Sequence, residues 1–552
     1  MKPTHPYVAV AVWCLVFFAL VPSMSAQEAP VPRHTGVPQD WSQRHIVFSR
    51  DTLALHPNLI YREPRVLHQA MQRWQAPNSD VFRGANLSSA VAGSSGQHRD
   101  WSVPMAGHIS PDMFPAKFSF DAAAPPDCTN DYVVFGLAAT GSTGTGGHAN
   151  LVAFNNLYSD PVNGGGLCDA PNGPGLTVLF AYNITTAGTG RIRTSPVLSL
   201  DGKKIAFVES IPGPPGSAVF HVLTWTAGEG TIAVPAAPNM TSLTFSPSAF
   251  DTASSPWVDY GTDTAYVGSD KGFVYQITGV FKGTPTLSGS PWPVSAGTLH
   301  LTGPVLDSFL GLLMVGSANG NLYQINTATG AVSTLVVGGG FGSGILGAPI
   351  VDITNGTTFV VSANDGTSAV LVEVDTVSNT VLTKGRIGQG ASGGTSVPLY
   401  EPAPSNNYYN DPSTGVIRLC GTGAADTTPW QFAFGFTGRI MHSTPSFSQQ
   451  LLTSTAARCT GWTEFFNPNI GTTLGTDFFF FGLTQGCTGP GTAGGCVARI
   501  TNTNTTAVTA TVKGGTSAII VDNYSTASQA SSIYFTAENL QTAYKFTQSG
   551  LN

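Results

Sequence analysis

Two cationic side chains interrupt an otherwise small or apolar series. Three residues before each of a set of recurring prolines the chain carries Arg193, Ala253, Leu301, Leu346, Thr395 and His442. If these positions begin equivalent strands, a guanidinium and an imidazole stand at one level and could meet an anionic ligand. His300, one step earlier in its copy, could join them. The competing reading is that all three are solvated or paired at a rim. A second series, Asp259, Asp307, Asp352 and Glu401, falls three residues after the same prolines, and Asp522 closes a copy without the proline. A ring of carboxylates could bind calcium. Acids in such positions also hydrogen-bond backbone N–H groups of their own turns, and repetition in unit after unit favours that structural use. No cofactor is expected, and calcium is the one ion the pattern leaves open. The histidines form neither His-x-His nor a His-Glu-x-x-His helix pair.

Seven cysteines are present. Cys14 lies in an apolar leader. The remaining six, Cys128, Cys168, Cys420, Cys459, Cys487 and Cys496, are an even set, which in an exported chain reads as disulfides. Proximity favours 128–168, 420–459 and 487–496 among the fifteen connectivities. Without Cys-x-x-Cys or a nearby histidine, zinc is disfavoured.

These residues need a framework, and composition restricts what it can be. Of 552 residues only 10% are charged, against ~25% in an average soluble domain. Gly (64) and Pro (38) are abundant, and 41% of the chain is hydrophobic. That excludes a disordered chain and a charged helical protein. A net charge of −7 speaks against a nucleic-acid binder. What remains is a turn-rich, β-rich globular protein.

The framework repeats. Ser255-Pro-Trp-Val-Asp259, Gly303-Pro-Val-Leu-Asp307, Ala348-Pro-Ile-Val-Asp352 and Val397-Pro-Leu-Tyr-Glu401 are copies of one motif, with degenerate copies at Ser195-Pro196, Thr444-Pro445 and Ser517–Asp522 and a possible first at Phe114-Pro115. From Pro256 to Pro445 the prolines recur every 45–49 residues. Each copy precedes a strand, a Gly-containing turn and a second strand, as in Thr264–Ile277 and Leu312–Ile325. A period of this length built from short strands means a β-propeller. The expectation is a single all-β propeller of about eight blades, with seven as the alternative, over residues 106–552. Blades pack flat on two neighbours and bury both faces, which accounts for the scarcity of charge. Phe478–Phe481 reads as a strand buried in this way, and Gly338–Gly344 as an inter-blade loop.

Residues 27–105 read as an N-terminal extension with one helix, since Val66, Leu67, Ala70, Met71 and Trp74 follow Pro64 at helical spacing. Residues 1–26 have the parts of a secretory signal: Lys2, the apolar run Val8–Val21, and small residues suiting cleavage after Ser25 or Ala26. The run is short for a membrane span. A secreted or periplasmic protein, without a membrane span once the signal is cleaved, is expected.

Ile325-Asn-Thr-Ala-Thr-Gly330 resembles the strand end and turn of the PQQ-type repeat, and Val374–Asn379 is a looser match. The chain therefore resembles quinoprotein-like β-propellers. The enzymes of that group usually place a Trp four residues after the Gly, where this chain has Thr334 and Thr383, so the resemblance implies the fold and speaks against the quinone cofactor. Asp40-Trp-Ser42, His45–Ser49, Phe114–Phe120, Ser199–Phe207 and Thr547–Leu551 resemble segments of uncharacterised exported bacterial propellers, a resemblance that carries no assigned activity.

Two functions are carried forward. One is an exported, monomeric, non-catalytic scaffold that binds a protein, glycan or other surface ligand. The other is a propeller oxidoreductase or hydrolase with its site at the channel mouth. Several titratable groups converging in one funnel would favour an enzyme.

Overall fold

A computed structural model describes residues 36–548 except 50–51, 53–54, 57–58, 60–62, 75–96, 106, 108, 110–111, 123, 143–146, 249–251, 341, 343, 390–396, 424–427, 455–456, 468–474, 488–493, 503–504, 523–526, 528 and 538–539. The proposed signal, 1–26, lies outside them. Eight sheets of four or five strands follow one another along the chain. Their inner strands are Ala116–Ser119, Val197–Leu198, Trp257–Asp259, Val305–Asp307, Ile350–Asp352, Ala403–Pro404, Thr463–Asn467 and Ile520–Asp522. The molecule is an eight-bladed β-propeller, and among the described residues one helix, Pro64–Trp74 (α1), runs for more than two turns.

Local chemistry sets the strands. Thr264–Gly268 and Phe273–Thr278 pair antiparallel across a turn in which Gly272 has φ +78°. Leu312–Gly316 and Asn321–Asn326 do the same around Gly320 at φ +83°. Both turns need the left-handed backbone that glycine adopts without strain. A second repeated device, found among the described residues in five of the eight blades, ties the start of the inner strand to its neighbour. The hydroxyls of Thr194, Ser254, Thr302, Thr460 and Ser517 accept the N–H of Val208, Gly268, Gly316, Gly482 and Thr536. Phe478–Phe481 lies in a buried strand: Phe478 and Phe480 pack in one apolar cluster, Phe479 and Phe481 in another. One strand thus feeds two inter-blade cores, which is why charges are scarce.

The structure departs from the regular repeat after Pro398. Blade six starts its inner strand at Ala403, and blade seven at Thr463. Thr444-Pro445 instead leads into Phe447–Gln450, which pairs with Trp430–Thr437 on the outer side of blade six. The eighth blade takes its outer strand, Gln97–Pro104, from before residue 106. That strand pairs antiparallel with Thr542–Gln548 and closes the ring. Buried charges seal the same seam. Lys117 Nζ lies 2.9 Å from Asp522 Oδ2, and the Tyr158 hydroxyl donates to Asp131 at 2.5 Å. Asp100 accepts hydrogen bonds from Lys545 and Thr547.

The channel at the centre of the ring is crossed by the chain itself. Val37–Gln39 adds to the inner edge of blade one, antiparallel to Lys117–Ser119. A 3-10 turn, Trp41–Arg44, follows, N-capped by Asp40 Oδ1 accepting from Ser42 N at 2.9 Å. Ile46–Val47 then pairs in parallel with the inner strand of blade five. First and fifth blades face one another across an eight-bladed ring, so this thread spans the channel. Helix α1 crosses it the other way. Near its start Arg65 donates to the Val258 carbonyl of blade three at 2.9 Å and lies 3.9 Å over the Trp257 ring. Near its end Arg73 makes a two-point bond to Glu464 of blade seven, at 2.8 and 3.1 Å. Between them Gln69 accepts from Phe48 N and donates to the Ile46 carbonyl, pinning the helix to the thread. The apolar residues Val66 and Ala70 are buried on this support.

Three disulfides are present: Cys128–Cys168 in blade one, Cys420–Cys459 between blades six and seven, and Cys487–Cys496 across a hairpin of blade seven, with Cα separations of 5.7, 6.2 and 6.0 Å.

Candidate functional site

A cavity of about 380 Å³ lies at the start of the inner strands. Its wall includes Arg193, Ala253, Leu301 and Leu346, four of the six positions aligned from the repeat, together with His300. Thr395 lies outside the described residues. His442 is elsewhere. Because the Pro445 copy opens an outer strand, the His442 ring sits on the blade surface, with Nε2 2.8 Å from Thr437 Oγ1. The sequence placed it at the mouth by assuming that every Pro copy begins a blade.

Trp41 and His45 of the thread also line the cavity. Trp41 is fixed by its Nε1 donating to the Pro256 carbonyl at 3.1 Å and by edge contact with Trp257. Gly303 permits this approach, since a Cβ there would meet the Trp41 ring at 2.7 Å. His45 Nδ1 lies 3.2 Å from the Pro349 carbonyl. Burial, reinforced by the neighbouring Arg44, pushes the His45 imidazole down to about 3, so it stays neutral.

Two acids complete the cavity, Asp112 and Glu401. Burial raises the Asp112 carboxyl, and Arg193 pulls it part of the way back. Glu401 is 4% exposed, and burial pushes its carboxyl up to about 7, with Arg44 opposing and Asp112 adding to the rise. Its carboxyl fits between Gly347 and Gly461, where added Cβ atoms would meet Oε2 at 2.5 Å and Oε1 at 2.0 Å.

Glu401 is the residue the repeat concealed. Its counterparts close their own turns: Asp259 accepts from Gly261 N, Asp307 from Phe309 and Leu310 N, and Asp352 from Asn355 N. Asp522 serves the seam between the first and last blades. Glu401 precedes its inner strand, which moves it to the mouth. The doubled prolines Pro402 and Pro404 are the sequence sign of that shift. The site thus combines Arg193, His300, Asp112 and Glu401 with walls of Leu301, Ile345 and Leu346, an arrangement suited to a small ligand with both apolar and hydrogen-bonding parts.

Among the described residues one set of metal-type donors converges: His98, Asp100 and Asp160. Its geometry suits an ion less well than a proton. His98 reaches Asp100 through Nδ1 at 2.9 Å and faces Asp160 through Nε2 at 3.8 Å, so the two carboxylates address different ring nitrogens. A Gly-x-Ser-x-Gly pentad, Gly390–Gly394, lies outside the described residues.

No protein-family model matches the chain. No curated protein shows significant similarity to it. Its fold is similar to those of several solved propellers. BamB from Moraxella catarrhalis aligns at 13% identity and TM-score 0.42, over 82% of this chain and 99% of that one. The Dos1 propeller aligns at 11% identity and TM-score 0.47, over 82% and 96%. A putative 6-phosphogluconolactonase from Bacteroides fragilis aligns at 11% identity and TM-score 0.39, over 71% and 96%.

Proposed function

We propose that this chain is an exported, non-catalytic, monomeric binding propeller, secreted or periplasmic, that holds a small ligand, or a protruding group of a protein or glycan, in the mouth cavity. The observation that carries this reading is the crossed channel. The thread and α1 cross the channel, and Trp41 and His45 of the thread line the mouth cavity. Three disulfides fit export, and among the described residues no helix is long and apolar enough to cross a membrane. Arg193 and His300 supply donors at the rim, and Glu401 supplies a deeper carboxyl. An array of glycans and small metabolites against the mature chain tests the reading: ligands should bind wild type and fail with Arg193→Ala. Equal binding by both proteins would refute the site.

The convergence of Arg193, His300, Asp112 and Glu401 in one cavity meets the condition set for an enzyme and favours hydrolysis as a second reading. A carboxyl that titrates near 7, beside a second acid, has the properties of a general acid. Turnover of a bound glycan or ester, lost in Glu401→Gln, would establish it in place of simple binding.

A further inference from the structure

A second cavity, about 40 Å³, lies inside the channel. It is bounded by Gln39–Arg44 of the thread, by α1, and by the inner strands of blades six to eight. The space is enough for about one to three water-sized guests. Most polar groups around it are already engaged. Asp40 Oδ1 accepts from Ser42 N at 2.9 Å, and Glu464 holds Arg73. The Gln69 amide donates to the thread at Gln43 and Ile46, and the Thr463 hydroxyl to the Ile519 carbonyl.

The buried polar atoms of this wall that lack a protein partner are all donors: Gln39 Nε2, Arg44 Nε and Arg44 Nη1. Gln39 is 1% exposed. A guest that only accepts hydrogen bonds matches that set. Charge points the same way. Among the described residues no carboxylate lies within salt-bridge distance of Arg44. Glu464 is committed to Arg73, and Glu401 is held partly protonated near neutral pH. Glu401 and Glu464 act on Arg44 through space, but neither forms an ion pair with it, and its Nε and Nη1 are shielded from solvent.

We infer that this cavity binds one small monovalent anion of halide type, accepting from Gln39 Nε2 and from Arg44 Nε and Nη1. The ion neutralises Arg44 and fastens the thread inside the ring. This inference does not depend on what occupies the mouth.

The test uses the full mature chain. Crystals grown in sodium bromide should give an anomalous difference peak within reach of Arg44 and Gln39. In solution, the unfolding midpoint should rise by ~2 °C for a hundredfold increase in chloride replacing gluconate at fixed ionic strength. Arg44→Met should lose that response. Should Arg44→Met fail to fold, the bromide crystal decides. A cavity without an anomalous peak, a midpoint indifferent to chloride against gluconate, or a variant that keeps the full chloride response would each overturn the assignment.

Discussion

Gly461 of blade seven makes the room that the Glu401 carboxyl of blade six occupies, since a Cβ at 461 would meet Oε1 at 2.0 Å. The contact joins two blades at the wall of the mouth cavity. Gly461→Ala must therefore displace Glu401 or strain the loop. The variant should lose ~1–3 kcal/mol of stability by overpacking and bind the mouth ligand about tenfold more weakly. Urea unfolding and a binding isotherm read the two effects separately. Unchanged affinity in a destabilised variant would remove Glu401 from the site.

Glu401 and Glu373 should each lose stabilising protonation between mildly acidic and neutral pH, while His45 and His68, pushed down to about 3 by burial, act in the opposite direction below ~6.5. Burial pushes the carboxyls of Glu401 and Glu373 up to about 7, whereas in the unfolded chain they titrate near ~4.3. Through these carboxyls the folded state binds more protons across that window, so their contribution to the unfolding free energy decreases as pH rises from about 4.5 to 7. His98 adds to the same trend. Burial would lower its pKa, but hydrogen bonding to Asp100 raises it overall, so its contribution is lost as pH rises through the raised value. Glu401→Gln should flatten the fall and gain ~2 kcal/mol above pH 7. A Glu401→Gln variant whose midpoint follows the same pH dependence as wild type would contradict this account.

The channel helix should behave as a tie between opposite blades. Arg73 and Glu464 are 8% and 5% exposed, so removing one leaves a buried charge. Arg73→Met should cost ~3–5 kcal/mol and expose the segment around residues 64–74 to proteases. Arg73→Met with Glu464→Leu should recover most of that loss, as replacing both partners of a buried pair often does. Limited proteolysis and urea unfolding of the single and double variants measure it.

The blades were legible because strands, turns and the Pro-containing motif repeat, and repetition survives local noise. The helix was legible from Val66 and Ala70 at helical spacing. The channel crossing was not. Ile46 pairs with Val351 and Arg65 with Val258, contacts hundreds of residues apart that leave no periodic trace. Of the expected site residues, Arg193 and His300 reach the cavity because their Pro copies open inner strands, Val197–Leu198 and Val305–Asp307. His442 and Glu401 exchanged roles because the Pro445 and Pro398 copies do not. A proline copy at an outer strand looks the same in sequence as one at an inner strand, and only strand pairing separates them.

The central claim is that the mouth cavity holds a ligand through Arg193 and Glu401. Native purification followed by untargeted mass spectrometry of released small molecules tests it most directly, comparing wild type with Arg193→Ala, Glu401→Gln and His442→Ala. The account predicts a compound carried by wild type and by His442→Ala, and depleted from Arg193→Ala and Glu401→Gln. Equal retention by all four proteins, or loss from His442→Ala alone, would contradict it.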